Sequence, residues 1–184
     1  MSMKISQKLV FAFLALFIFS GASILSVAAQ SSTIDSQQID RILSNCTSTK
    51  NTLNQLHASD ALLRVNRGQT YESMSTKLMD GFNGRVSNNN FNNTSLVSIY
   101  NGYNSALDIF RLDYKTYEEH LSTAININCF KQPVSFYDAV VLARTERNKV
   151  HDDILKLNQY VDQYQSAVDQ FEKDYLATSS GANH

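Results

Sequence analysis

The chain is short of the residues that turn a backbone. It has one proline and six glycines in 184 residues, too few for the frequent tight turns of a β-sandwich or barrel. That scarcity suits a small number of long helices. Cysteine is scarce as well: Cys46 and Cys129 are the only two, too far apart in sequence for a metal-ligand motif. There is no surplus of positive charge either, with 16 Lys and Arg against 17 Asp and Glu, which argues against nucleic acid as a partner. GxSxG, HExxH and glycine-rich phosphate loops are missing. The adjacent carboxylates Glu118 and Glu119 point to different faces of a helix, so they form no acid–base pair. The expectation is a protein that is not an enzyme and carries no cofactor.

What the chain does have is a core. Apolar residues make up 43% of it, enough to fold, and its length suits about one domain. The N-terminus, MSMKISQKLVFAFLALFIFSGASILSVAAQ, sets two lysines before an uncharged apolar run and closes it with small residues. This is the pattern of a secretory leader ending at Ala29. An uncleaved membrane anchor is the alternative, because Leu9 to Ala29 could just span a bilayer. Without Lys4 and Lys8, 14 basic residues would face 17 acidic ones. Either reading of segment 1–29 places the rest outside the cytoplasm, where two cysteines favour a disulfide.

After about residue 34, mostly apolar residues fall at alternating steps of three and four. One series runs Ile39, Ile42, Cys46, Thr49, Leu53, Leu56, Asp60, Leu63, Arg67, Thr70, Met74. A second runs from Tyr103 to Ala124, and a third from Val140 through Arg147 to Tyr175. A seven-residue repeat keeps one narrow seam facing a partner helix, as in a coiled coil. GFNGRVSNNNFNNTS (81–95) and NCFKQPVS (128–135) interrupt the pattern with Gly, Asn, Ser and the only proline, and Ser135 is a candidate N-cap. The expected fold is all-α: an antiparallel three-helix bundle spanning 34–177, with helices over about 34–85, 95–127 and 135–176 and a flexible tail at 178–184.

Folding the first helix onto the second about residues 90–91 sets Cys129 opposite about residue 52. The remaining distance to Cys46 is about 9 Å along the axis, and a modest register shift would close it to the roughly 5.5 Å a disulfide needs. The expectation is a Cys46–Cys129 bond closing a loop worth on the order of 4 kcal/mol.

The same folding rule brings the two seam arginines, Arg67 and Arg147, to one level beside Tyr114 and Tyr117. Glu118 and Glu146 then serve as counter-charges, Asp60 lies one heptad from Arg67, and Gly68 lets a tyrosine ring approach the backbone. The structural reading of this layer is a polar device that fixes register. The functional reading is a gap that binds an anion, since a guanidinium fork matches carboxylate and phosphate. His57 with Asp60, or Glu119 with His120, could contribute to a metal site, but no third or fourth ligand joins them. No metal is expected.

Cys46, DALLRVNRGQTYE, STKLM, CFKQPVSFYDAVV and ARTERNKVH, taken together, resemble an uncharacterised family of small bacterial exported helical proteins, over roughly residues 40–175. The resemblance implies an exported helical fold and carries no activity or site. The helical hairpins behind a leader also resemble plant invertase and pectinesterase inhibitors. Those carry two disulfides, for which this chain has too few cysteines. The leading expectation is a non-enzymatic interaction or spacer module of the cell envelope. Its partner would be another envelope protein or a second copy, with the membrane added if the leader stays. The alternative is an extracytoplasmic sensor-like module binding a small anion at the arginine layer.

Overall fold

The computed structural model describes residues 34–181, and the expected leader or anchor lies outside them. The described chain is all helix and loop, with three long helical arms. The first arm is α1 (Ser36–Ser73), a π-helical segment (Met74–Met79) and α2 (Asp80–Asn88) in unbroken succession. The second arm is α3 (Thr94–Asn126) and the third is α4 (Pro133–Gly181). Their bounds differ from the expected ones by a few residues. The exception is α4, which continues to Gly181 instead of fraying at 178.

Local chemistry accounts for the ends. Asp35 caps α1 with a capping box: its carboxylate accepts from Gln38 N at 2.7 Å, and the Gln38 side chain accepts from Asp35 N at 3.1 Å. α2 closes in a Schellman motif, with Asn90 N donating to Ser87 O at 2.9 Å and Phe91 N to Val86 O at 3.1 Å. That motif needs a left-handed residue, and Asn90 supplies it with φ 60°. Pro133, not the expected cap Ser135, begins α4: it takes the first helical position, where its missing N–H costs nothing, and Phe136 N donates to Gln132 O at 3.0 Å.

Contacts between the arms define an antiparallel three-helix bundle. Cys46 is bonded to Cys129 with a Cα–Cα distance of 5.7 Å, and Lys50 Nζ donates to Ile127 O nearby at 3.1 Å. Further up, Tyr103 OH donates to Tyr71 O at 3.0 Å, and Tyr164 OH lies 3.0 Å from Met79 O. α1 and α3 therefore run in opposite directions, while α1 and α4 run the same way. The close pair is α3 and α4. There Gly102 admits the Tyr160 ring so closely that a Cβ would sit 2.6 Å from it. Gly68, by contrast, has nothing within 4 Å of a notional Cβ, so it serves no close approach.

The core follows the heptads on α3 and α4, with Tyr103, Tyr117, Leu121 and Leu157 fully buried. On α1 it does not. Cys46, Leu53 and Asp60 are buried at intervals of seven, and the next buried residue is Tyr71, eleven on. Inserting four residues into a heptad repeat is a stutter, which locally unwinds the coil and rotates the seam. Arg67, placed in the seam by a strict count of seven, is consequently exposed. The π-helical segment follows directly: Asp80 N reaches back five residues to Ser75 O. With its wider turn, Tyr71, Ser75, Met79 and Asn83, each four apart, all stay buried.

A cationic cleft where the first helix skips a core residue

Between Asp60 and Tyr71, α1 offers the core no buried side chain, and a cleft of about 420 Å³ opens there between α1 and α4. α1 contributes Asp60, Leu63, Arg64 and Arg67 to its walls. α3 forms the floor with Phe110, Tyr114 and Tyr117. On the α4 side stand Arg147, Asn148, His151 and the apolar pair Val150 and Ile154. Three arginines thus face one aspartate in a chain whose formal net charge is −1.

The buried floor of the cleft is organised by Asp60, which is 8% exposed. Tyr117 OH donates to Asp60 Oδ2 at 2.7 Å, and Arg147 Nε donates to the same oxygen at 3.2 Å. Tyr114 OH lies 3.0 Å from the Asp60 carbonyl and 3.0 Å from Glu118 Oε1. Burial, then the hydrogen bond to Asp60, pushes the Tyr117 hydroxyl well above the ordinary tyrosine range. Burial and the Glu118 contact do the same for Tyr114. Both hydroxyls therefore remain donors. The bond to Asp60 likewise raises the Arg147 guanidinium, which stays charged.

Arg64 stands over the Tyr114 ring with Cζ 5.0 Å from the centroid, a cation–π arrangement, and its Nη1 is 3.6 Å from Glu118 Oε2. Arg67 forms no ion pair among the described residues. Two arginines in the cleft are thus matched by carboxylates, and one is not.

Of the residues singled out in the sequence, Asp60, Tyr114, Tyr117, Glu118 and Arg147 come together. The layer is centred on Asp60 instead of Arg67, because α1 sits against α3 by the register shift that the disulfide requires. Arg67 lies further along the cleft, towards Ile154. Glu146 is not a counter-charge to either arginine. It occupies the α4 seam itself, 6% exposed, and pairs with Lys149 at 2.9 Å, while the Arg147 side chain beside it is 52% exposed. Arg64, Asn148 and His151 escape a heptad reading, which assigns them to outward positions. The stretch without an inward-facing large apolar residue after Leu63 is the signal that could have found them. Among the described residues no group of three or more His, Cys, Asp and Glu could hold a metal ion.

Comparison of the chain with protein-family models, with curated proteins and with solved structures finds no match. The cleft has to be read from its own chemistry.

Proposed function

We propose that this protein is an exported, non-enzymatic helical module of the cell envelope whose working part is the cleft between α1 and α4, where it binds a small anion. The observation that carries this reading is Arg67, a guanidinium without an ion-pair partner among the described residues, in a concave site of about 420 Å³. Ligand sites commonly fall between about 300 and 1,000 Å³ and combine apolar walls with a few placed polar groups. Guanidinium forks recognise carboxylate, sulfate and phosphate oxygens in pairs. Asp60 holds Arg147 in place, so the site is organised before a ligand arrives.

The extracytoplasmic location rests on the Cys46–Cys129 bond, since disulfides persist in oxidising compartments. It also rests on the leader-like segment 1–29. Among the described residues no helix is long and apolar enough to cross a membrane. Alkylation of protein denatured straight from cells without reductant tests the location: both cysteines should resist labelling, and free thiols would count against export.

Binding is tested by thermal unfolding of the oxidised chain with a panel of small inorganic and organic anions at constant ionic strength. A ligand for the native state raises the melting temperature by mass action. At least one anion class should do so, and Arg64→Gln/Arg67→Gln should abolish the effect. A panel without any such anion contradicts the reading.

A second reading, as a docking module for another envelope protein or a second copy, draws on exposed apolar residues. Leu62 and Val65 on α1 are 69% and 55% exposed, and Ile109 and Leu112 on α3 are 52% and 63%. Sedimentation analysis of the chain alone tests self-association.

A further inference from the structure

We propose that the anion is a monocarboxylate with a compact apolar body, such as an aromatic or branched aliphatic acid. This rests on the preceding reading of the cleft and narrows it to one ligand class.

Charge comes first. Asp60 answers Arg147 at 3.2 Å, and Glu118, at the edge, answers Arg64 at 3.6 Å. Of the three cleft arginines, Arg67 alone has no ion-pair partner among the described residues, so one negative charge completes the site. A second negative charge would lie against Asp60 or Glu118, where like charges repel.

The walls come next. Around the three arginines the cleft is lined by Leu63, Phe110, Val150 and Ile154. Phe110 and Val150 are buried, and Leu63 and Ile154 are open enough to be covered by a ligand. Such a surface rewards an apolar body, because area removed from water adds to affinity. Sulfate or phosphate would leave it wet.

Arg67 lies one helical turn beyond Leu63 on α1. A carboxylate held by its fork leaves the body of the acid between Leu63 on the α1 side and Val150 and Ile154 on the α4 side, over the tyrosine floor. Asn148 and His151 supply further hydrogen-bonding groups on the α4 side. They suit an acid that also carries a hydroxyl or carbonyl.

The test is calorimetric titration of the oxidised full-length chain with phenylacetate, acetate, succinate and sulfate. Phenylacetate should bind, with acetate weaker by on the order of tenfold or more for want of apolar contact. Succinate should gain nothing from its second charge. Arg67→Gln should weaken phenylacetate by on the order of tenfold, while Arg111→Gln, outside the cleft, leaves it unchanged. Ile154→Ser should weaken phenylacetate and leave acetate as it was, a difference that a general loss of structure would not produce. Arg67 is exposed and Ile154 partly buried, and circular dichroism checks that both variants remain folded. Sulfate or succinate binding as tightly as phenylacetate overturns the ligand class and leaves the anion site standing. Phenylacetate binding indifferent to Arg67→Gln also overturns the proposal. If none of the four anions binds, both the class and the anion site fall.

Discussion

Tyr117 and Arg147 converge on a single oxygen of Asp60, at 2.7 and 3.2 Å, from two different helices. One buried carboxylate thus ties α1 to both α3 and α4 at the level where the heptad repeat of α1 gives way. Asp60→Ala removes the acceptor of both bonds and leaves the buried Tyr117 hydroxyl without its partner. Hydrogen bonds to charged groups contribute about 1.5–3 kcal/mol, and a loss of roughly 2–3 kcal/mol is expected for this variant. Asp60→Asn keeps an acceptor oxygen and should lose less. Urea unfolding with the disulfide intact measures both.

The disulfide constrains the other end of the bundle. With a separation of 83 residues, the chain-entropy relation assigns it about 4–5 kcal/mol through the unfolded state. Cys46→Ser/Cys129→Ser should lower the urea midpoint accordingly. Addition of a reductant should bring the wild-type chain to the same curve and leave the variant unmoved.

At Gly102 the sign of a substitution should depend on a neighbour. Alanine is the better helix former by about 1 kcal/mol, but its Cβ would meet Tyr160 Cε1 at 2.6 Å. Gly102→Ala should therefore destabilise the wild-type chain by roughly 1–3 kcal/mol, as overpacking does. In a Tyr160→Ala background it should stabilise instead. A double-mutant cycle by chemical denaturation reads this coupling directly.

Asp153 predicts a pH dependence. Its Oδ2 is buried, and burial, then the charge of and hydrogen bond to the neighbouring Asp113 carboxyl, raises its pKa from 3.8 to about 6. Asp152 acts in the same direction, while Lys149 lies close enough to interact with Asp113. The folded chain therefore binds more protons than the unfolded chain between about pH 4 and 6. This group makes stability fall as pH rises through that window, the reverse of a salt-bridged carboxylate. Asp153→Asn should flatten the fall and raise the melting temperature at pH 7.5. An unchanged pH profile in the variant contradicts the assignment.

How much of this could be read in the sequence varied along the chain. α3 and α4 were legible because their seams hold to seven-residue spacing over many turns, with tyrosines and leucines dominating on α3 and Phe136, Ala143, Val150, Leu157 and Tyr164 recurring every seven on α4. The Cys46–Cys129 pair was legible because antiparallel folding brings both cysteines to one end. α1 misled because Leu63, Arg67, Thr70 and Met74 continue the heptad on paper, while in three dimensions the seam slips to Tyr71. Burying an aromatic ring outweighs keeping an arginine in register, so the stutter wins, and the π-helical turn then carries the new register into α2. Glu146 and Arg147 are neighbours on the chain, and spacing alone assigned the seam to the wrong one. The longer, more flexible arginine swings out to reach Asp60, and Glu146 takes the inward position with Lys149 as its partner.

The measurement closest to the central claim, that the skipped core position of α1 creates an anion site, follows the arginine Nε–H resonances by NMR during titration with phenylacetate. The account predicts saturable shifts at Arg67 and its cleft neighbours, and none at Arg111, which is paired with Glu72 and Asp108. Shifts spread evenly over all arginines, or an Arg67 resonance that never moves, would contradict it.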